Sequence, residues 1–438
     1  MFFRYLPAVL ICIFALNGPV QADSVDPVFD QIDAIVKTLS GITGLSEKHP
    51  VPYGRMSKEQ LRHFLNKRIK KTIKPAEIRA DELALKMFGL VPPDFDLRKS
   101  TVDLMTEQAA AFYDYDAKRL FLLEGSSVQE QTITLAHELA HALADQYFHL
   151  DKFMESASSN DDENLARTAV AEGQASWLMI AYDLEKTGRS PIPTPDMIKA
   201  FDESDASSLS DYPVLKSSPL YIRQSLLFPY SQGTLFFDAV YRRMGKAAFS
   251  YVFTNPPSDT AQVLHPDRYF AHITAAEPEL PAISLTAERK EITDGDLGEF
   301  DHRVLLEQYL GAPEANNLSP HLRGAEFEII TAGKPRQPVL EYVSQWDSAS
   351  SAAAFFDAYK RVLRKKWRRC DGSVSDASTF AGTGDDGLFV THLSGNTVWS
   401  VEGLRDTNDW TRLQQPPKAV NAWGMMPPKA LASSRSLH

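Results

Sequence analysis

Two histidines four residues apart, with a glutamate after the first, bring metal-ligand chemistry to the segment His137-Glu138-Leu139-Ala140-His141. An α-helix turns about 100° per residue, so His137 and His141 project from one face with imidazoles close enough to share a cation. Neutral imidazole suits zinc, which takes nitrogen ligands at about 2.0–2.1 Å. Glu138 reaches the same zone from the flank, where a carboxylate can accept a proton from an activated water. The neighbours Ile133, Leu135, Ala136, Leu139 and Ala140 are apolar. A His pair and a carboxylate buried among them are expensive unless a metal or hydrogen bonds compensate them. Zn2+ is therefore the expected cofactor.

A catalytic zinc wants three protein ligands and one open position. Glu172, in LARTAVAEGQASWLM, lies 31 positions after His141. On a helix it shares a face with Leu165, Ala169, Ser176 and Met179, so its carboxylate points among apolar neighbours and needs a cation. Zinc fills that need, and so would a Lys or Arg in an ordinary ion pair. Gly173 and Ala175 let this helix approach the HELAH helix closely. Asp145, one turn after His141, is expected to steady an imidazole from outside the ligand set. A tetrahedral oxyanion needs a further donor, commonly Tyr or His. The candidates are Tyr230 in FPYSQG and His265 or Tyr269 in HPDRYF, each of which also suits a core or capping role.

These groups need elements to hold them. Gln129 to Phe148 reads as a long helix carrying HELAH, and Asp161 to Lys186 as the helix carrying Glu172. QAAAFYDYDAKRLFLLE, residues 108–124, has two apolar runs around a polar turn, the signal of a hairpin. Strand Ala110 to Tyr113 is positioned to add an extended peptide at its edge. Helices are expected at Val25 to Leu39, Ser57 to Ile73, Glu77 to Phe88, Gln232 to Met244 and Lys246 to Phe253. Glu59 stands two residues after Ser57, short of ideal capping-box spacing. Arg189 to Pro219, rich in Ser, Pro and Asp, reads as loop. Beyond Gly324, EFEII, VLEYVSQW, a helix from Ser348 to Arg369, GLFVTHL and TVWSVEGL read as a β–α–β arrangement.

The chain opens with Arg4, an apolar run from Leu6 to Leu16 and Val20-Gln21-Ala22, the three parts of a cleavable export signal. The run is short for a membrane span, which needs about 20 residues; an uncleaved N-terminal anchor is the alternative. A secreted or periplasmic location is expected. The net charge is −11, and Arg4 is the only charge in residues 1–22, so the mature chain stands at −12. That acidic balance excludes the basic footprint of a nucleic-acid binder. Hydrophobic residues make up 43% of the chain, ample for a packed core. Cys12 leaves with the signal, so Cys370 has no partner in the mature chain and any metal falls to His and carboxylates.

FYDYDAKRLFLLE, AHELAHALADQYF, AVAEGQASWLM and PPSDTAQVLHPDRYF together resemble a family of exported bacterial zincin-like metallopeptidases. HELAH with a downstream EG-A motif is also similar to the gluzincins, which use two His and one Glu; the third His of metzincins is missing. The resemblance runs from Ile78 to Phe270, with a weaker echo in LEYVSQWDSASSAAAFFDAY. It implies an α+β, zincin-like fold: mostly helical, with a small mixed sheet, an HExxH active-site helix and a smaller C-terminal α/β region. It further implies His137, His141 and Glu172 as metal ligands, Glu138 as catalytic acid/base, and a site role for Tyr230, His265 and Tyr269. The expected divisions are a signal peptide at 1–22, a metallopeptidase domain at 23–319, an accessory α/β region at 320–414 and a disordered tail at 415–438. The expected activity is zinc-dependent peptide hydrolysis on a peptide or protein substrate, with no nucleic acid and no stable membrane span. The alternative is a zincin-derived envelope binding or assembly protein that keeps the zinc with little or no hydrolysis.

Overall fold

The hairpin read from residues 108–124 organises a small mixed sheet against which the HELAH helix lies. In the computed structural model, residues 10–13, 28–124, 128–157, 160–207, 212–280, 289–332 and 337–414 are described. Strand β1 (Leu10–Ile13), helix α1 (Ile32–Thr43), β2 (Tyr53–Met56) and helices α2 (Lys58–Thr72), α3 (Pro75–Phe88) and α4 (Leu97–Gln108) lead into β3 (Ala109–Asp114) and β4 (Arg119–Leu123). The sheet order is β1-β3-β4-β2, with β2 parallel to β4 and the other pairs antiparallel. The hairpin turn closes because Asp114 accepts from the amides of Asp116 and Ala117, and Lys118 takes a positive φ of 51°.

A helical layer follows: α5 (Val128–Phe148), α6 (Leu150–Glu155), α7 (Asp161–Lys186), α8 (Pro195–Ser207), α9 (Pro213–Ser217), α10 (Leu220–Met244), α11 (Ala248–Thr254), α12 (Thr260–Leu264) and α13 (Pro266–Phe270). Helix α7 starts where the Asn160 side chain accepts from the Glu163 amide, with Asp161, Asp162 and Glu163 complementing the helix dipole. It is buried on almost every side and crosses α10 at two facing glycines. A Cβ on Gly173 would lie 2.1 Å from the Gly233 carbonyl carbon, and one on Gly233 would lie 2.3 Å from the Ala169 oxygen. Backbone therefore meets backbone at this crossing, and no larger residue fits.

The C-terminal part contains β5 (Lys290–Asp296), α14 (Glu299–Leu310), α15 (Ala312–Leu318), β6 (Leu322–Ala332), β7 (Gln337–Trp346), α16 (Ala349–Lys366), β8 (Asp371–Asp376), β9 (Thr379–Gly384), β10 (Gly387–Ser394), β11 (Thr397–Leu404) and α17 (Thr407–Leu413). Its seven strands form one antiparallel sheet in the order β5-β6-β7-β11-β10-β9-β8. Helix α16 buries Phe355, Phe356, Tyr359, Val362 and Leu363. A second apolar cluster, with Ile330, Val343, Val390 and Val401, is covered by Trp410 and Leu413 of α17. The α+β architecture expected from the sequence, helix-rich with a small mixed sheet and a second sheet region, is present. The main core is continuous from α1 through α16.

Four local expectations change. Arg189 to Pro219 is largely helical, as α8 and α9, because Pro195 and Pro213 each stand at a first helical turn, where a missing N–H costs nothing. The helix expected from Gln232 begins at Leu220 and runs through Pro229. Ser57 does form a capping box, with Gln60 at the third helical position in place of Glu59. The β–α–β reading lacked β8 and β9, so the region is an antiparallel meander after α16. Of the signal peptide, residues 1–9 and 14–22 lie outside the described residues, as does the tail from Gln415. Among the described residues, no helix is long and apolar enough to cross a membrane.

Candidate metal centre

Helix α5 packs between α1, α7 and the small sheet, so its middle turns are buried all round. His137 and Glu138 are fully buried, and His141 and Glu172 nearly so. The Nε2 atoms of His137 and His141 stand 3.0 Å apart; Oε2 of Glu172 lies 3.0 Å from the first and 3.3 Å from the second. Ligands of a tetrahedral zinc at about 2.05 Å stand about 3.3 Å from one another. The three separations fit that requirement, and two nitrogens with one carboxylate oxygen are a donor set zinc accepts. Burial pushes the His137 imidazolium down to about 4, against the opposing hydrogen bond to Glu172, so the ring is in the neutral form a metal ligand needs. Glu172 pairs with the two imidazoles, and among the described residues no Lys or Arg forms an ion pair with it.

The supporting side chains divide sharply. Tyr230, one turn before Gly233, stacks its ring on His137 with centroids 6.1 Å apart and an interplanar angle of 27°. The glycine crossing is what brings α10 close enough for this contact. His265 instead bonds Glu299 at 2.7 Å, beside Arg268, and makes no hydrogen bond or ring contact to the triad. The Tyr269 hydroxyl donates to the Asn255 carbonyl, and its ring packs on Phe236 and Tyr251. The structure thus joins Tyr230 to the triad and sets His265 and Tyr269 elsewhere.

Asp145 does not steady an imidazole. It accepts from the Tyr113 hydroxyl at 2.8 Å, the Lys118 ammonium at 2.9 Å and the Leu150 amide at 2.8 Å. Its work is to fasten the hairpin to α5 one turn beyond His141. The sequence holds a faint sign of this pairing, a Tyr and a Lys on either side of the hairpin turn, but both reach Asp145 only through the fold.

A cavity of about 320 Å³ lies away from the triad, at the start of α7, lined by Asp162, Asp259, Asp296, Glu299, Glu326 and Arg268 among others. Its carboxylates already cap backbone: Asp296 accepts from the Asp161 and Asp162 amides, Asp162 from Thr260, and Asp259 from Gln262 and Ala275. These acids are committed to capping, whereas the donor set that could hold a metal is the buried triad.

The family model described as "Peptidase_M78: IrrE N-terminal-like domain" matches residues 95–187. That stretch holds β3, β4, α5 and all of α7, hence all three residues of the triad. This part of the chain is similar to an IrrE-like domain and carries a His–His–Glu triad able to coordinate a divalent metal. No curated protein and no solved structure matches the chain.

Proposed function

We propose that this chain is a zinc-dependent peptidase exported from the cytoplasm. The observation that carries the reading is the convergence of two imidazole nitrogens and one carboxylate oxygen beside the buried Glu138. Zinc held by His137, His141 and Glu172 would supply Lewis acidity, polarising a peptide carbonyl and making a water acidic enough to attack it. Glu138 then takes that water's proton on its carboxylate and delivers it to the departing amine nitrogen. Tyr230, held over His137, donates its hydroxyl hydrogen to the developing oxyanion. His265 stays bonded to Glu299 in this scheme. The match of residues 95–187 to a peptidase-type domain supports a peptide or protein substrate. The signal-like start of the sequence supports export.

A second reading, a binding or assembly protein that keeps its zinc without hydrolysis, draws on the closure of the site: all four residues are shut off from solvent. One set of measurements separates the two. Metal analysis of wild type, His137→Ala and Glu172→Ala should give near one zinc per chain only for wild type. Glu138→Gln should keep the zinc and lose cleavage of a peptide library. Full zinc in Glu172→Ala removes it from the ligand set. Equal cleavage by wild type and Glu138→Gln sinks the catalytic role, and zinc with no cleavage by wild type selects the second reading.

A further inference from the structure

Helix α2 sets a basic surface on an acidic chain. Its 15 residues, KEQLRHFLNKRIKKT, carry six Lys or Arg against one acid, Glu59, while the whole chain stands at −11. Leu61, Leu65 and Ile69 turn inward. His63, Lys67, Lys70 and Lys71 fall on the opposite face of the helix and are exposed. Arg62 and Arg68 pair with Asp103, Asp114 and Asp116, but among the described residues no ion pair forms at Lys67, Lys70 or Lys71. The other basic run, Lys360 to Arg369, is largely neutralised in place. There Lys360 pairs with Asp357, Arg361 with Glu314, Lys366 with Glu402 and Arg369 with Asp371.

The lysines border a groove of about 290 Å³ between α2, α3 and the start of α4. Ile69, Ile73 and Ile78 are its apolar lining, and Lys70, Arg79 and Arg98 its cationic lining. The two acids there are engaged. Glu82 bonds the Lys86 ammonium and the Leu97 amide, and Asp96 caps the Lys99 amide. The groove therefore keeps positive charge beside apolar surface. Its place in the fold is also definite. Phe64 of α2 packs on Phe112 of β3 with ring centroids 5.4 Å apart, while the next residue, Tyr113, reaches Asp145 on α5. Successive side chains of a strand point to opposite faces of its sheet. Helices α2 and α5 therefore cover opposite faces, and the lysines look away from the side that carries the triad.

We propose that this face of α2, with the groove it shares with α3, docks the protein on a membrane surface rich in anionic phospholipid. Headgroup phosphates meet Lys67, Lys70, Lys71 and Arg79, and apolar parts of the lipid lie on Ile73 and Ile78. The charge calls for an anionic partner, and the isoleucines beside it for an amphiphilic one. The apolar side of α2 is buried in the core, and among the described residues no helix is long and apolar enough to cross a membrane. The attachment is thus peripheral and electrostatic. It keeps the triad side turned from the bilayer and does not depend on the reaction proposed above.

Cosedimentation of the full-length chain with vesicles reads the attachment. Vesicles of phosphatidylcholine mixed with phosphatidylglycerol should bind the protein about tenfold or more tightly than phosphatidylcholine alone. The apolar start of the chain is common to both measurements and to every variant. One basic residue beside an anionic bilayer is worth about fivefold in affinity. Lys67→Gln, Lys70→Gln and Lys71→Gln combined should therefore weaken binding to the mixed vesicles about 100-fold, and Arg79→Gln about fivefold, with melting unchanged. Salt that shortens the Debye length from about 10 Å to about 3 Å should erase the preference for mixed vesicles. The control removes the same charge elsewhere, at the exposed Lys152, Lys186 and Lys290, each replaced by Gln, and should bind as wild type does. Equal weakening in the two triple variants makes the effect one of net charge and overturns the assignment to α2. A wild type without preference for the mixed vesicles overturns the membrane. If it instead holds a soluble poly-glutamate peptide, and the α2 triple variant does not, the partner is an acidic protein and the proposal fails.

Discussion

The crossing of α7 and α10 carries a sharp test. Adding one methyl group at Gly173 places a carbon 2.1 Å from the Gly233 carbonyl carbon, where ordinary contact begins at 3.4 Å. The obstacle is backbone, which cannot rotate aside, so the helices must separate by at least 1.3 Å, the difference of those distances. Overpacking of this kind costs about 1–3 kcal/mol. For a domain of some 150–250 residues each kcal/mol lowers Tm by about 2–4 °C, and rather less in a larger chain. Gly173→Ala should therefore melt several degrees lower by calorimetry. Because Glu172 is the adjacent residue and Tyr230 lies one turn from Gly233, the same shift should weaken zinc retention against a chelator. The control is Gly41→Ala in α1, where a Cβ meets nothing within 4 Å. There the better helix propensity of Ala should add about 0.5–1 kcal/mol and leave zinc binding alone. If Gly173→Ala matches Gly41→Ala in both melting and zinc retention, the crossing does not position the site as argued.

Three further outcomes follow from the same geometry. Asp145→Asn should cost about 1.5–3 kcal/mol in urea unfolding, since it weakens charge-assisted bonds to Tyr113 and Lys118; zinc content should not change, and a loss of zinc would return Asp145 to the metal site. Tyr230→Phe should lower kcat by about 100-fold or more with zinc and KM little altered, and an unchanged kcat removes Tyr230 from the oxyanion role. Burial, with repulsion from Asp296, Glu277 and Asp294, raises the Glu326 carboxyl to about 7, and burial raises Asp296 to about 6. Both folded values lie above the unfolded ones, so their stabilising effect is complete in acid and is lost as pH rises through about 6–7. Glu326→Gln should accordingly match wild type in urea near pH 4 and exceed it near pH 8, and equal pH profiles for the two proteins would refute the cluster's part.

The parts of the site that were legible in the sequence are those set by local periodicity. HELAH announces itself by spacing, and Glu172 by standing among Leu165, Ala169 and Met179 on one helical face. The hairpin was readable because its apolar runs flank Asp114 to Lys118, whose turn chemistry is local. What stayed hidden depends on distant contacts or on residues that contradict local rules. Pro229 argues against a helix, yet α10 runs through it, because the surrounding core outweighs one lost hydrogen bond. Strands β8 and β9, DGSVSD and TFAGTG, are small, polar and Gly-rich; pairing of β9 with β10 and of β8 with β9 makes them strands, not their own propensity. Asp145 looked like a partner for the nearest histidine, but Tyr113 and Lys118, brought in from the hairpin, claim it.

The C-cap of α3 has a wider consequence. Gly89 takes a positive φ of 75°, its carbonyl accepts from the Gln308 side chain and the Tyr309 hydroxyl, and Lys366 of α16 reaches the Met87 carbonyl beside it. A side chain at position 89 would strike both Lys366 and Tyr309 within 2.6 Å. Lys366 is in turn the buried partner of Glu402 on β11. Four segments far apart in the chain thus share one joint, and none of them is free to vary alone. Such a joint ties the fit of the C-terminal sheet to that of the half that carries the triad. A chimaera that exchanged one half would keep this joint only where a glycine at 89 still met a tyrosine at 309 and a lysine at 366.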